Sequence, residues 1–288
     1  MPENTTKIPG RELCRQGKHS LERINIMNQL EVLRESLGQC DEIILDALLM
    51  RNRIVEDIMV YKEAHDLPVL QPEQEAKQKG WLEARMEGRR HKKEVNDVFA
   101  SITQNSKRIQ SRNLFNYNIF LIGFMGAGKS TISDYLKNAL AMDVVEMDQC
   151  IVERQGMSIS DIFETYGEEY FRELETNLLI EMQSQSNVVV SCGGGVPMRE
   201  RNVVEMKKNG RVVLLTAKPE TILDRVKDNH DRPLLENNKT VPFIADLMEK
   251  RRAKYEAAAD IVIQTDGKSE LEICEELIHR LREADANK

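Results

Sequence analysis

The chain has 288 residues, 41% hydrophobic and 31% charged, with a formal net charge of −7. This is an ordinary soluble globular composition, and the length suits two domains. The acidic balance leaves no broad basic face for non-specific nucleic-acid binding, so an anionic ligand has to be captured by local clusters of cations.

The first twenty residues, MPENTTKIPGRELCRQGKHS, hold no apolar run, which argues against a secretory signal and reads as a flexible polar arm. No later apolar run approaches the roughly 20 residues of a membrane span. Cys14, Cys40, Cys150, Cys192 and Cys274 share no metal-ligand spacing and read as reduced thiols in a cytoplasmic protein. From Leu21 the pattern is helical: Leu30, Leu33, Leu37, Cys40, Ile44, Leu48, Val55 and Met59 recur at spacings of three, four and seven. Gly38 is the one weak point, and Pro68 ends the element. A helix of about 40 residues is about 60 Å long, more than one small domain can cover alone. Two further helical stretches, roughly 72 to 87 and 92 to 111, are split by the solvated turn EGRRHKK.

Arg51 and Lys62 share a face of the long helix, and Ser106 and Gln110 share a face of the last one. Polar residues on a packing face are either satisfied core groups or a site, and spacing alone leaves both open.

At Asn118 the grammar changes. NIFLI, DVVEM, NVVVSC, RVVLLT and DIVIQT are buried-strand candidates separated by helical sequence, which predicts a parallel α/β sheet. The boundaries are therefore an arm over 1–20, a helical domain over 21–111, a joint over 112–117 and an α/β domain over 118–288. GFMGAGKS, at 123–130, follows the first strand and opens a helix, which is the context of a phosphate-binding loop. Its glycines let backbone N–H groups wrap phosphates, Lys129 reaches the β and γ phosphates, and the Ser130 hydroxyl ligates Mg²⁺. Asp148, in EMDQ, stands at a strand's carboxyl end, where open α/β sheets bind ligands. SCGGGVP places Gly193, Gly194 and Gly195 after the third strand, where a ligand can approach the backbone closely.

In this order GFMGAGKS, the aspartate of EMDQ, GEEYFRELE, CGGG, RPLL and KRRAKY resemble shikimate kinase, over about residues 117 to 285. The resemblance implies ATP-dependent phosphorylation of the shikimate 3-hydroxyl with Mg²⁺. It implies that ATP meets Gly123, Gly126, Ala127, Gly128, Lys129, Ser130, Thr131, Arg225 and Arg232. Arg225 would stack on adenine and Arg232 would meet the transferring phosphate. Asp148 would hold shikimate hydroxyls and orient or accept the reacting proton. Arg172 and Arg251 would clamp its carboxylate, with Gly193, Gly194 and Gly195 closing the pocket. Glu146 stands where many members carry an aspartate linked to Mg²⁺, and is expected in that metal's second shell.

The first half resembles an all-helical chorismate mutase. The segments carrying the likeness are LRESLGQCDEIILDALLMRNRIVEDIMVYK, LPVLQPEQE and FASITQNSKRIQ, within about residues 24 to 112. The resemblance implies chorismate ligands Arg34, Arg51, Lys62, Glu75, Ser106 and Gln110, with Lys62 and Gln110 serving the ether oxygen. Gln74 stands where the family usually has arginine. Two activities of aromatic amino acid biosynthesis on one chain are therefore expected, with a homodimer formed through the long helices. The competing expectation keeps the kinase and makes the helical part a dimerisation or chorismate/prephenate-sensing module. A P-loop kinase for another small acceptor is the remaining alternative.

Overall fold

The computed structural model describes residues 10–227 and 240–286, with side chains from Met27 onward. The chain divides into two units, residues 1–54 and 55–288.

Helix α1 runs Gly10–Ala64. It starts inside the stretch expected to be a polar arm. GRELCRQGKHS is rich in helix formers but has no apolar stripe, so periodicity did not expose it. Gly38 does not interrupt the helix. In the first unit the apolar positions of α1 are open, with Leu33 61%, Leu37 62%, Ile43 70% and Met50 64% exposed. Monomeric soluble proteins rarely leave so many large apolar side chains uncovered together.

In the second unit, α2 (Pro72–Arg85) and α3 (Lys92–Leu114) follow. Pro72 at the first helical position suits α2, because its missing N–H would have had no intrahelical partner. The expected turn lies between these helices, with His91 in the left-handed region ahead of α3 (φ 59°).

The five expected strands all form: β1 (Asn118–Ile122), β2 (Asp143–Glu146), β3 (Val188–Ser191), β4 (Gly210–Thr216) and β5 (Ile261–Gln264). They make one parallel sheet in the order β2-β3-β1-β4-β5. The central strand pairs Phe120 with Val190 on one side and Val212 on the other. All five residues of β1 are buried, as both faces of a parallel sheet require. Ile119 and Leu121 pack with the core containing α4 (Lys129–Leu140) and α11 (Glu270–Ala286). Phe120 and Ile122 pack with the opposite core, which contains α5 (Met147–Gln155), α6 (Ile159–Tyr166), α7 (Glu168–Glu181) and α8 (Glu200–Lys208). Helices α9 (Pro219–Val226) and α10 (Val241–Ala258) complete the domain.

The passage from α3 into β1 is packed. Phe115 is fully buried and Tyr117 nearly so. The Ser111 hydroxyl donates to Asn187 Oδ1 at 2.9 Å, and Asn187 Nδ2 donates to the carbonyls of Ser111 and Phe115, both at 2.9 Å. Met59, Val69 and Leu70 belong to the same core as β1 and α11. The end of α1 and the connection that follows it therefore share one of the two sheet cores. Among the described residues no helix is long and apolar enough to cross a membrane.

Candidate active site

The phosphate loop is built by β1 and α4. Gly123 adopts φ 145°, and a Cβ there would collide with the Leu215 carbonyl on the neighbouring strand. Gly126 (φ 77°) has Val226 Cγ1 2.8 Å from where a Cβ would sit. Both positions need glycine, one for close strand approach and one for turn geometry. Gly128, at φ 102°, stands directly before α4. The loop thus ends on a helix N-terminus, whose N–H groups and dipole favour an anion. Ala127 is buried behind the loop. Lys129 Nζ folds back to donate to the carbonyls of Gly123 (3.0 Å) and Phe124 (3.2 Å).

Beside this loop is a cavity of about 470 Å³ lined by Lys129, Ser130, Thr131, Arg225, Thr265 and Lys268. The Arg225 guanidinium donates to Gly126 O and to Thr265 Oγ1, both at 3.1 Å. Thr265 and Lys268 carried no motif in the sequence. The turn after β5 delivers them, so topology brings them to the loop. Arg232 lies outside the described residues.

Ser130 Oγ donates to Glu146 Oε2 at 3.1 Å, and Ser133 Oγ donates to Glu146 Oε1 at 2.7 Å. The first contact joins a hydroxyl and a carboxylate at the mouth of the loop, a donor set of hard oxygens that fits Mg²⁺. Among the described residues no group of three His, Cys, Asp or Glu side chains could hold a metal by itself.

The glycine triplet after β3 is the centre of the second half of the site. A Cβ on Gly193 would stand 2.6 Å from Asp148 Oδ1 and 3.1 Å from Glu175 Oε1. One on Gly194 would stand 3.6 Å from the Tyr255 hydroxyl and 3.7 Å from an Arg251 guanidinium nitrogen. One on Gly195 would collide with the Arg172 guanidinium. Three residues without side chains therefore let Asp148, Arg172 and Arg251 converge from α5, α7 and α10. Asp148 sits in the first turn of α5, just past the end of β2. The Tyr255 hydroxyl donates to Gly194 O at 2.7 Å and holds the triplet in place.

Glu175 is the residue that sequence reasoning missed. It is fully buried and accepts from Arg172 at 3.1 and 3.0 Å. Glu168 accepts from the same guanidinium at 2.6 Å. Burial pushes the Glu175 carboxyl up to about 7; Arg172 opposes that shift, and the nearby Asp148 charge adds to it. In the sequence this is one of several glutamates on an ordinary helix, and its local pattern reads as a surface ion pair.

Of the residues expected to meet chorismate, four lie in the second unit. Lys62 is buried, and its Nζ donates to Val69 O at 2.7 Å. Burial lowers its pKa, opposed by the charges of Glu275 and Glu75. Glu75 pairs with Lys107 at 2.7 Å. Ser106 is buried, with its hydroxyl donating to Ile102 O at 3.0 Å, and Gln110 is half-buried one turn further on. A cavity of about 590 Å³ between α2 and α3 contains Glu75, but Lys62, Ser106 and Gln110 do not line it. In the first unit, Arg34 is exposed and Arg51 half-buried on one unbroken helix.

A parallel sheet with a phosphate loop after its central strand, facing carboxylate and guanidinium groups across a glycine triplet, defines a P-loop phosphotransferase of a small acceptor. The shikimate kinase model matches residues 125–282, and the chain belongs to that family. A second match, to chorismate mutase type II, covers residues 33–111, so domains of both kinds are present. The shikimate kinase of Dehalococcoides mccartyi (strain 195) is 43% identical over 166 residues, 58% of this chain and 94% of the relative. That of Geobacter sulfurreducens is 45% identical over 166 residues, 58% of this chain and 91% of the relative. Among solved structures, shikimate kinase from Acinetobacter baumannii in complex with shikimate is similar at a TM-score of 0.54 and 32% identity, covering 60% of this chain and 96% of that one.

Proposed function

We propose that this protein is a bifunctional cytoplasmic enzyme that phosphorylates shikimate with ATP and rearranges chorismate to prephenate. The observation carrying the first activity is the convergence of Asp148, Arg172 and Arg251 on the glycine triplet that follows β3. Three groups of that chemistry fit a small acid bearing hydroxyls. The arginines suit its carboxylate, and Asp148 suits the hydroxyl that attacks.

In this reading the loop N–H groups and Lys129 hold the β and γ phosphates, and Lys129 exchanges its present carbonyl partners for phosphate oxygens. Asp148 aligns the acceptor hydroxyl and takes its proton as oxygen attacks the γ phosphorus. Arg225 and the residues after β5 enclose the base, and Arg232 neutralises charge on the moving group. Phosphoryl transfer needs positioning and charge neutralisation above all, which this set of residues supplies. Ser130, supported by Glu146, would hold Mg²⁺, which would supply positive charge to offset that of the phosphates.

The mutase reaction is intramolecular and needs no nucleophile. It needs a compact substrate conformer and donors aimed at the ether oxygen. Arg34 and Arg51 supply charge for two carboxylates, Glu75 meets the hydroxyl, Ser106 contributes from α3, and Lys62 and Gln110 serve the ether oxygen. The open apolar positions of α1 support a homodimer through the long helices. We read 21–111 as the mutase domain, 112–117 as a joint and 118–288 as the kinase domain, with the mutase helix beginning earlier, at Gly10. The Glu75–Lys107 ion pair favours one second reading, a sensing or dimerisation module with weak turnover, because it occupies a group the reaction needs.

Purified full-length protein tests both halves together. ADP release with shikimate and loss of chorismate absorbance are both expected. Phosphorylation alone would leave the sensing module standing, and no ADP release with shikimate would end the kinase reading.

A further inference from the structure

Lys62 does not face its surroundings through its own helix alone. Its ammonium is fixed by the Val69 carbonyl at 2.7 Å, in the short connection between α1 and α2. That connection is held from the far end of the chain. Val69 N–H donates to Glu275 Oε2 at 3.3 Å, and Leu70 N–H donates to the other oxygen, Oε1. Glu275 belongs to α11, the last helix of the kinase domain. One carboxylate thus accepts two successive backbone N–H groups, and the carbonyl of the first of those residues sets the position of a buried cation.

We propose that Glu275 is a positioning residue of the mutase reaction, contributed by the kinase domain, which fixes the 69–70 backbone and through it the Lys62 ammonium. The proposal rests on the mutase reading above. Its geometry is specific. Val69 and Leu70 are buried in the core shared with α11, so the backbone at this point has few other positions to adopt. Charge agrees with geometry. Lys62 is a buried cation, and the carboxylates of Glu275 and Glu75 are the charges that favour its ionised form, Glu75 being shared with Lys107. Other contacts bind the same surfaces, including Arg282 with Glu63 at 2.9 Å. That pair joins a half-buried arginine to an exposed carboxylate and does not reach the Lys62 carbonyl partner.

A donor aimed at an ether oxygen acts where charge develops in the transition state. Displacing it lowers kcat more than it raises KM. The test compares Glu275→Ala and Glu275→Gln with wild type in the full chain, following chorismate loss and ADP release in each preparation. We expect Glu275→Ala to lower mutase kcat by about tenfold, a size set by the loss of two hydrogen bonds to one carboxylate. KM for chorismate should move by less than about threefold, since binding by the arginines is untouched. Gln keeps one acceptor oxygen, so Glu275→Gln should recover part of the loss. Kinase turnover should stay at the wild-type level in both. Unchanged mutase kcat in Glu275→Ala, with an active wild type, overturns the proposal. So does an equal fall of both activities in both variants, which would make Glu275 a tether only. If the Ala variant does not fold, Glu275→Gln alone decides, since it must still lower mutase kcat selectively. A wild type that phosphorylates shikimate but leaves chorismate untouched ends the mutase reading itself, and the positioning role with it.

Discussion

Arg172 and Glu175 stand one turn apart on α7, and a single guanidinium nitrogen bonds both oxygens of the buried carboxylate at 3.1 and 3.0 Å. The pair orients the cation proposed to grip the acceptor's carboxylate, and its carboxyl titrates near neutrality, at about 7. Below that pH Glu175 takes up a proton and its hold on Arg172 weakens. Kinase kcat/KM for shikimate should therefore rise with pH through about 7. In Glu175→Gln, which cannot ionise, that limb should vanish and KM for shikimate should increase. A pH profile with the limb intact in the Gln variant would remove Glu175 from acceptor binding.

The same shift has a stability consequence of determinate sign. The folded-state pKa is raised from 4.5 to about 7, so the folded protein holds this proton more tightly than the unfolded chain. The resulting stabilisation is fully present below 4.5 and is lost as pH rises through 7. Glutamine mimics the protonated form at every pH. The Tm of Glu175→Gln minus that of wild type should therefore grow between pH 4.5 and 7, measurable by thermal unfolding in the absence of ligands.

The two halves of the kinase site were not equally legible in the sequence. The phosphate loop could be read because its chemistry is local, with glycines, lysine and serine in one stretch after a strand. The acceptor side could be read only as scattered marks, whose convergence is made by three helices meeting at Gly193, Gly194 and Gly195. Glu175 carried no mark, since nothing local separates a buried carboxylate from a surface one on a helix. Thr265 and Lys268 escaped because their neighbours at the loop are far away in sequence. All five strands were visible as short apolar runs separated by helical sequence. The helix over residues 10–20 was not, because helix-forming composition without an apolar stripe leaves no periodic signal. Glu275 lay beyond any sequence argument, since its partners are more than 200 positions away.

Lys129→Met should abolish ADP release with shikimate while mutase turnover stays near wild type. Lys129 lines the cavity beside the phosphate loop, and none of the residues assigned to chorismate does. Loss of both activities in a folded Lys129→Met protein would show that the two sites are coupled through the core they share.

Asp148→Asn should lower kinase kcat by at least about 100-fold, the lower end of what a positioned general base contributes. ATP affinity should change little, because Asp148 lies beside Gly193, on the side proposed for the acceptor, and the cavity beside the phosphate loop is lined without it. Isothermal titration with ATP and steady-state ADP release on one preparation measure both quantities. Unchanged turnover would exclude Asp148 from proton transfer.

The last prediction comes from distance along α1. Arg34 and Arg51 lie on one unbroken helix. At 1.5 Å per residue they are about 25 Å apart along its axis, so one chorismate cannot touch both. The two can serve one kind of pocket if long helices of two chains pair antiparallel, with Arg34 of one subunit completing the pocket that contains Arg51 of the other. The same pairing covers Leu33, Leu37, Ile43 and Met50, which are all more than half exposed in the single chain. It also yields a two-fold dimer with two equivalent sites. Arg34→Ala and Arg51→Ala should then each lose mutase activity by about 100-fold, corresponding to about 2.7 kcal/mol of transition-state stabilisation. Kinase activity should persist in both. Co-refolding the two variants should restore mutase activity, because a mixed dimer has one pocket with both arginines and one with neither. If half the dimers are mixed, about a quarter of the wild-type sites return under two-fold symmetry. Mixed dimers confirmed by differential tags, yet without recovered activity, would refute the shared pocket and the helix pairing that creates it.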